Sequence, residues 1–261
     1  MLFKNLRENN EKLISNDVVS LIMTENCPFQ CKHCMREERR PNTISEEVID
    51  LLLSQVIING ELHLGGGEPL SATDKAIYLL NRLQYFGSKP KALNMISNGS
   101  ICPEKFERFV AAIPKGMAVK LMISNDYYHV QERLRLNKNV DNIITRLREY
   151  QAIFCKHGFS RPIDDYFWML EPYDNFQNGN GVSAIGYGAN IPGATIIERD
   201  FKLHKNVNIE NGYIKGKIQV QTDGRITQYL DMSWKECDQY YGQEYSLHEK
   251  PLKRILTNKY L

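Results

Sequence analysis

The chain has 261 residues and nearly balanced charge, with 33 Lys and Arg against 31 Asp and Glu and a formal net charge of +2. This length suits one α/β domain with a sizeable core, and the charge argues against strong attraction to nucleic acid or to an anionic membrane. The N-terminus lacks an apolar signal segment, and no run is long and apolar enough to cross a bilayer. Six cysteines, three of them clustered, favour a reducing cytoplasm over a disulfide framework.

Strand-like and helix-like patterns alternate from Val18 onward, which predicts a parallel sheet with helices outside it. Residues 1–16 are polar and mixed, and we expect a short arm or helix there. The remaining predicted elements follow in chain order: a strand at 18–24, a helix capped by Ser45, a strand at 61–64, a helix at 73–86 ended by Gly87, a strand at 91–97, a helix opened by Pro103, a strand at 118–124, a helix at about 140–156 closed by Gly158, and strands at 166–170 and 217–221.

Three cysteines with C-x3-C-x2-C spacing, Cys27, Cys31 and Cys34, come directly after the first long strand. Short spacings of this kind allow one loop to hold an iron–sulfur cluster, and a three-cysteine loop leaves one iron of a cubane open. The alternative is a zinc site, completed by His33 or by a distant fourth ligand.

A glycine-rich segment, Gly65-Gly66-Gly67-Glu68-Pro69, follows the second long strand. Glycines let a backbone approach a ligand closely because no Cβ stands in the way. The alternative is an ordinary turn between a strand and a helix.

Together, the cysteine loop and the glycine segment resemble those of the radical S-adenosylmethionine (SAM) enzymes, in the same order and at the same strand ends. The resemblance implies a partial (β/α)6 TIM-like barrel of the α/β class, at residues 17–200, after an N-terminal arm at 1–16. It also implies a [4Fe-4S] cluster on Cys27, Cys31 and Cys34, with SAM bound at the open iron and by Gly65, Gly66, Gly67 and Glu68. Polar groups at the ends of parallel strands, where barrel enzymes carry their chemistry, favour the same interpretation.

The resemblance assigns further residues to SAM. Ser97 and Asn98 match an element near the methionine end of SAM, although a turn with a capping Asn98 is an equal alternative. Ser124, Asn125 and Asp126 match positions that meet the SAM carboxylate and ribose. His129 is a candidate acid or base, or equally a helix-capping residue.

Two further assignments concern adenine. Gly186 and Gly188 occupy the region of a glycine-containing strand that flanks adenine in related enzymes, with a β-bulge as the alternative. Phe29 lies where the family has an aromatic residue near adenine, and it could also anchor the loop in the core.

Residues 201–261 resemble a reduced SPASM or twitch extension, a small α+β cap. Such extensions bind auxiliary clusters through several cysteines, but this one has only Cys237, so we expect no auxiliary cluster and expect the extension to form a lid or wall for substrate. Cys237 is a candidate hydrogen-atom donor to a substrate radical. The candidate substrate contacts are Tyr229, Trp234, Tyr240 and Tyr241, with simple packing of the cap as the alternative.

The resemblance therefore predicts an enzyme that cleaves SAM reductively and uses the 5′-deoxyadenosyl radical on a peptide or other small substrate. A flavodoxin or ferredoxin would supply the electron. A glycyl-radical activase and a nucleotide-modifying enzyme remain alternatives, and the non-enzyme alternative is a zinc-binding interaction domain.

Overall fold

The computed structural model describes residues 12–37, 39–136, 142–159, 166–170, 186–196, 198–228 and 232–257. The strands of the larger sheet are β2 (Val18–Thr24), β4 (Glu61–Gly66), β5 (Ala92–Ser97), β6 (Ala118–Ile123), β7 (Tyr166–Leu170), β10 (Ile218–Val220) and β11 (Ile226–Gln228). The strands of the smaller sheet are β1 (Leu13–Ser15), β3 (Val56–Ile58), β8 (Asn208–Glu210) and β9 (Tyr213–Lys215). The helices are α1 (Glu46–Gln55), α2 (Thr73–Tyr85), α3 (Pro103–Ala111), α4 (Tyr127–Arg135), α5 (Asn142–Lys156), α6 (Leu203–Asn206), α7 (Trp234–Tyr240) and α8 (Leu252–Thr257).

The larger sheet has the order β11-β10-β2-β4-β5-β6-β7. Its strands from β10 to β7 are all parallel, and β11 is antiparallel to β10. Helices connect β2, β4, β5, β6 and β7 along the chain. The predicted α/β class and partial barrel are confirmed, and within the described residues no pairing joins β7 to β11, so the sheet is open.

The C-terminal segment contributes directly to this sheet. Val19 pairs with Ile218 in parallel register, and β10 and β11 form a hairpin around a turn in which Gly224 has φ of +84°. The boundary predicted at residue 200 therefore separates strands that share one sheet. Residues 13–15 of the predicted arm form a strand rather than a helix, because Ile14 pairs with both Ile57 and Tyr213.

The two faces of the larger sheet differ in chemistry. Alternate side chains along a strand point to opposite faces, and one set packs against the helices in the hydrophobic core. This set consists of Val19, Leu21, Leu62, Leu64, Leu93, Met95, Val119 and Leu121. The opposite face carries polar residues together with apolar ones such as Ile22, Ile96 and Met122, and it lines the concave side of the barrel.

The helix boundaries follow the predicted signals closely. Ser45 caps α1 by accepting a hydrogen bond from the Val48 N–H at 3.1 Å, as predicted. Pro103 is the first residue of α3, and Gly87 and Gly158 adopt positive φ after α2 and α5. Among the helices in the described part of the chain, none is long and apolar enough to cross a bilayer.

Candidate functional site

A cavity of about 500 Å³ opens at the carboxyl ends of the central strands. This volume lies within the usual range for small-molecule sites. Its walls combine the cysteine loop after β2, the glycine segment after β4, and the residues that end β5 and β6. Of the residues predicted from the sequence, it is lined by Cys27, Cys31, Cys34, Gly65, Gly66, Gly67, Ser97, Asn98, Ser124, His129 and Trp234.

The cysteine loop presents its three thiols to this one cavity. Two polar groups approach the sulfur atoms: the Asn98 Nδ2 lies 3.4 Å from the Cys27 Sγ, and the Arg39 Nη1 lies 3.8 Å from the Cys34 Sγ. A backbone hydrogen bond of 3.0 Å from the Cys34 N–H to the Cys31 carbonyl tightens the loop.

The chemistry of this donor set fits an iron–sulfur cluster. Burial raises the pKa of the Cys27 thiol to about 11, and it also raises the pKa of Cys31, with the neighbouring thiols adding to the shift. Bound metal removes the thiol proton despite such a shift, and the N–H groups of Asn98 and Arg39 then meet thiolates. Hydrogen bonds to the sulfurs are a usual feature of iron–sulfur sites.

A zinc site would use a different set of ligand atoms from the three thiols. Ligand atoms of Cys31, His33 and His129 lie within 4.8 Å of one another, but this group includes only one of the three thiols. The His33 Nε2 lies 3.6 Å from the Asp126 carboxylate, and its ring stacks on Tyr128 with centroids 4.7 Å apart. His33 is thus oriented by α4 rather than by the other two cysteines.

The glycines of the segment have different neighbours. A Cβ at Gly66, where φ is +138°, would lie 2.2 Å from the Thr24 carbonyl oxygen, and one at Gly67 would lie 2.4 Å from the Asn26 carbonyl oxygen. A Cβ at Gly65 would meet the tip of the Ile22 side chain at 3.3 Å. All three glycines line the cavity, but only Gly66 and Gly67 are also packed closely against the strand and loop that carry the cysteines.

Glu68 is fully buried beneath the cavity. Its carboxylate accepts hydrogen bonds from the Leu70 N–H at 3.1 Å, the Asn98 N–H at 2.7 Å and the Ser97 hydroxyl at 3.0 Å. Burial raises the pKa of Glu68 to about 7, although these hydrogen bonds oppose the shift. Glu68 ties the glycine segment to the end of β5 and does not itself line the cavity.

Asp126 is also fully buried, as the N-cap of α4. It accepts hydrogen bonds from the Tyr128 N–H at 2.9 Å, from the His129 N–H at 3.1 Å and from the His129 Nδ1. Burial opposes ionisation, but the hydrogen bonds from His129 and His33 outweigh it and hold the pKa of Asp126 below its usual range. Asp126 thus fixes the orientation of His129, which lines the cavity.

Arg133 connects the ends of β5 and β6. Its guanidinium donates to the Asn98 carbonyl at 3.0 Å, to the Ser124 carbonyl at 2.6 Å and to the Asn125 Oδ1 at 2.9 Å. It also lies 5.9 Å from the centre of the buried Phe29 ring. Phe29 and Asn125 therefore contact α4 and lie outside the cavity lining.

The structure places the other predicted residues around this site. Gly186 and Gly188 lie in a 3₁₀ turn that touches the cysteine loop through a 3.0 Å hydrogen bond from the Tyr187 N–H to the Cys34 carbonyl. Cys237 is buried in α7, and it does not line the cavity. The isolated thiols of Cys102 and Cys155 are exposed.

Of the predicted aromatic substrate contacts, some line the cavity and others pack elsewhere. Trp234 lines the cavity, whereas Tyr240 stacks on Phe201 with centroids 4.2 Å apart. The buried Tyr241 donates to the Phe201 carbonyl at 2.7 Å. Tyr229 and residues 183–185 of the predicted adenine-flanking strand lie outside the described residues.

One group of cavity residues was missed in the sequence interpretation: Ser20, His63, Asn94, Lys120 and Gln219. Each is a single polar residue between two apolar ones in the middle of a strand. Because side chains alternate between the two faces of a strand, this recurring pattern was the signal that could have identified them.

Known proteins resemble this chain in sequence and in fold. Residues 21–159 match the radical SAM superfamily. One similar solved structure is native anSMEcpe with bound AdoMet and Cp18Cys peptide, with 15% identity, a TM-score of 0.50, and coverage of 95% of this chain and 81% of that chain. Another is Streptococcus suis SuiB bound to precursor peptide SuiA, with 12% identity, a TM-score of 0.48, and coverage of 98% and 68%. No curated protein sequence matches the chain significantly.

Proposed function

The chain belongs to the radical SAM superfamily, and on that premise we propose that it abstracts a hydrogen atom from a peptide or small-molecule substrate with a 5′-deoxyadenosyl radical. Enzymes of this superfamily work with a [4Fe-4S] cluster and SAM, so the chain is an enzyme with those cofactors. Membership of an enzyme family leaves the zinc-binding interaction domain without support.

The observation that carries the proposal is the convergence of Cys27, Cys31 and Cys34 on the cavity that the glycine segment also lines. These three thiolates would hold the cluster. When bound, the cluster and SAM supply the electron and the radical that begin hydrogen abstraction. A flavodoxin or ferredoxin is the proposed electron donor, in a reducing compartment such as the cytoplasm.

The residues around the thiols have distinct tasks in this proposal. Gly65, Ser97 and Ser124 would bind SAM at the strand ends, because all three residues line the cavity. Asn98 would support both the cluster and SAM, because its side chain reaches the Cys27 Sγ while its backbone is held by Glu68.

Buried contacts behind the cavity keep these groups in place and keep water away from them. Glu68, Asp126 and Arg133 bond to the loops from behind, each with little or no exposure to solvent. Fixed polar groups in a water-excluded site protect reactive intermediates from side reactions. A peptide substrate is supported by one similar fold, the anSMEcpe structure, which contains a peptide.

The decisive experiment is an anaerobic turnover assay. The protein is reconstituted with iron and sulfide, mixed with SAM and a strong reductant, and assayed for 5′-deoxyadenosine. We expect product from the wild type and from Cys155→Ala, an exposed thiol on α5, and none from Cys31→Ala. Stoichiometric zinc in place of a cluster, with no product from any preparation, would refute the proposal.

A further inference from the structure

A row of polar side chains crosses the concave face of the sheet below the apolar residues that border the cysteine loop. Its members are in register on adjacent strands: Gln219 with Ser20, Ser20 with His63, His63 with Asn94, and Asn94 with Lys120. All five line the cavity. Barrel interiors are ordinarily filled by branched apolar side chains, so five polar residues on five neighbouring strands indicate a surface that meets a ligand.

The next row toward the cysteine loop is apolar. Ile22, Ile96 and Met122 follow Ser20, Asn94 and Lys120 by two positions on β2, β5 and β6, and they also line the cavity. Two residues of a strand span about 7 Å. Ile96 is 58% exposed, which is unusual for a strand residue of this size and leaves its side chain uncovered by protein.

Two buried donors in the cavity wall have no acceptor within the described chain. They are the Gln219 Nε2 and the Trp234 Nε1, on residues that are 3% and 2% exposed. A buried donor without a partner is destabilising, and buried polar groups are nearly always satisfied. Both residues line the cavity, and because each nitrogen lies just behind the cavity surface, a rotation of its side chain would bring it to an oxygen acceptor of a ligand.

The charges at the polar row favour an anionic acceptor. Glu61 is the carboxylate of this group, and it is occupied by the His63 Nε2 at 2.9 Å and the Asn94 Nδ2 at 2.5 Å. The Lys120 ammonium lies 3.8 Å from the same carboxylate, beyond hydrogen-bonding distance, and its side chain is 54% exposed. Lys120 therefore has donors available for a second carboxylate.

We propose that this part of the cavity binds the carboxylate of an aliphatic substrate. The oxygens accept hydrogen bonds from the Lys120 ammonium at one end of the row and from the Gln219 amide once its side chain has rotated into the cavity. The aliphatic segment lies along Ile22, Ile96 and Met122 toward the cysteine loop. This inference rests on the proposed function, because it names the substrate class for the same cavity. The carboxylate could belong to a free small acid or to a peptide, since both offer the same two oxygens.

The test is calorimetric titration of the reconstituted protein with SAM present and reductant absent. The probes are straight-chain carboxylates from butanoate to octanoate and their primary amides, followed by acetyl-Leu-Leu with a free or an amidated C-terminus. We expect carboxylates to bind at least tenfold more tightly than their amides, with about a three- to fourfold gain for each added methylene. Tighter binding of the free-terminus peptide than of the straight-chain acids would identify a peptide as the source.

Two variants locate the binding. Lys120→Met is expected to weaken carboxylates about tenfold and leave amides unchanged, and Gln219→Leu to weaken both about fivefold. The exposed residues Lys89 and Gln84 provide matched controls, Lys89→Met and Gln84→Leu, which should bind like the wild type. Gln219→Leu should also melt at or above the wild-type temperature, because the Gln219 Nε2 has no partner in the described chain. A clearly lower melting temperature would assign Gln219 a structural role and overturn its proposed role in carboxylate binding.

Equal binding of carboxylates and amides, or equal behaviour of Lys120→Met and Lys89→Met, would overturn the inference. Reductant is then added to the same preparations and 5′-deoxyadenosine is measured. Product without discrimination between carboxylate and amide overturns the inference alone. Selective carboxylate binding with a bound cluster supports the inference even if no 5′-deoxyadenosine forms, and that result would instead count against the proposed function.

Discussion

The glycine segment offers a sharp test, because alanine should cost more stability at Gly66 than at Gly87, a glycine outside the segment that also has positive φ. At Gly66 a Cβ would lie 2.2 Å from the Thr24 carbonyl oxygen, with φ at +138°. At Gly87, which follows α2, φ is +84° and a Cβ would meet nothing within 4 Å. Gly87→Ala thus imposes backbone strain alone, whereas Gly66→Ala imposes strain and forces β2 and β4 apart.

The expected magnitudes follow from these contacts. Alanine at positive φ costs about 1–2 kcal/mol, which is the whole effect expected at Gly87. At Gly66 the strands must separate by about 1 Å to restore an ordinary carbon–oxygen contact. That movement disrupts two hydrogen bonds, from the Gly67 N–H to the Thr24 carbonyl at 2.8 Å and from the Glu68 N–H to the Asn26 carbonyl at 3.0 Å. With each worth about 1 kcal/mol, Gly66→Ala should lose about 3–4 kcal/mol.

Urea-induced unfolding of the reduced full-length protein, followed by far-ultraviolet circular dichroism, measures both losses. Gly65→Ala serves as a third variant, since its Cβ would meet only the movable tip of Ile22 at 3.3 Å; it should fold normally and weaken SAM binding. If Gly66→Ala loses no more stability than Gly87→Ala, the close approach of the strand and the cysteine loop is not what requires glycine there.

Three further outcomes follow from buried groups. Burial raises the pKa of Glu68 from 4.5 to about 7, so the folded state holds this proton more tightly than the unfolded state does. The wild type should therefore lose about 3 kcal/mol of stability relative to Glu68→Gln as the pH rises from 4.5 through 7. Parallel profiles of stability against pH for the two proteins would contradict this. Asp126→Ala should lose about 3 kcal/mol in urea unfolding because it removes the cap of α4 and the partner of His129, whereas Asp126→Asn, which keeps a capping oxygen, should lose about 1 kcal/mol. Cys237→Ala should leave the reaction product unchanged, because the Cys237 thiol does not line the cavity; an altered product by mass spectrometry would restore hydrogen-atom donation by Cys237.

The strands and helices that the sequence predicted correctly carry local signals. The third predicted strand, 91–97, is found at Ala92–Ser97, and the helix predicted at about 140–156 is found at Asn142–Lys156. Ser45, Pro103 and Gly158 mark helix ends through chemistry that depends only on neighbouring residues.

The smaller sheet could not be predicted in this way. β1, β3, β8 and β9 have three residues each, too few to show a period, and β1 is a strand only because distant segments pair with it.

The residues of the candidate site also differ in how far the sequence could predict them. Spacing singled out the three cysteines that line the cavity, whereas the burial of Glu68 and Asp126 depends on packing that the sequence does not display. The roles of the site residues toward the cluster and SAM stay predictions.

The pairing of β10 with β2 also bears on the order in which the protein folds. Val19 and Ile218 are neighbours in the sheet, as are Ile14 and Tyr213 in the smaller one, although some 200 residues separate each pair along the chain. During synthesis, the first long strand therefore has an unpaired edge until β10 has emerged. Such long-range parallel pairing is slow and leaves the edge open to aggregation. The cysteine loop leaves this same strand at its carboxyl end, so the strand that supports the loop gains its second neighbour only after β10 has been made.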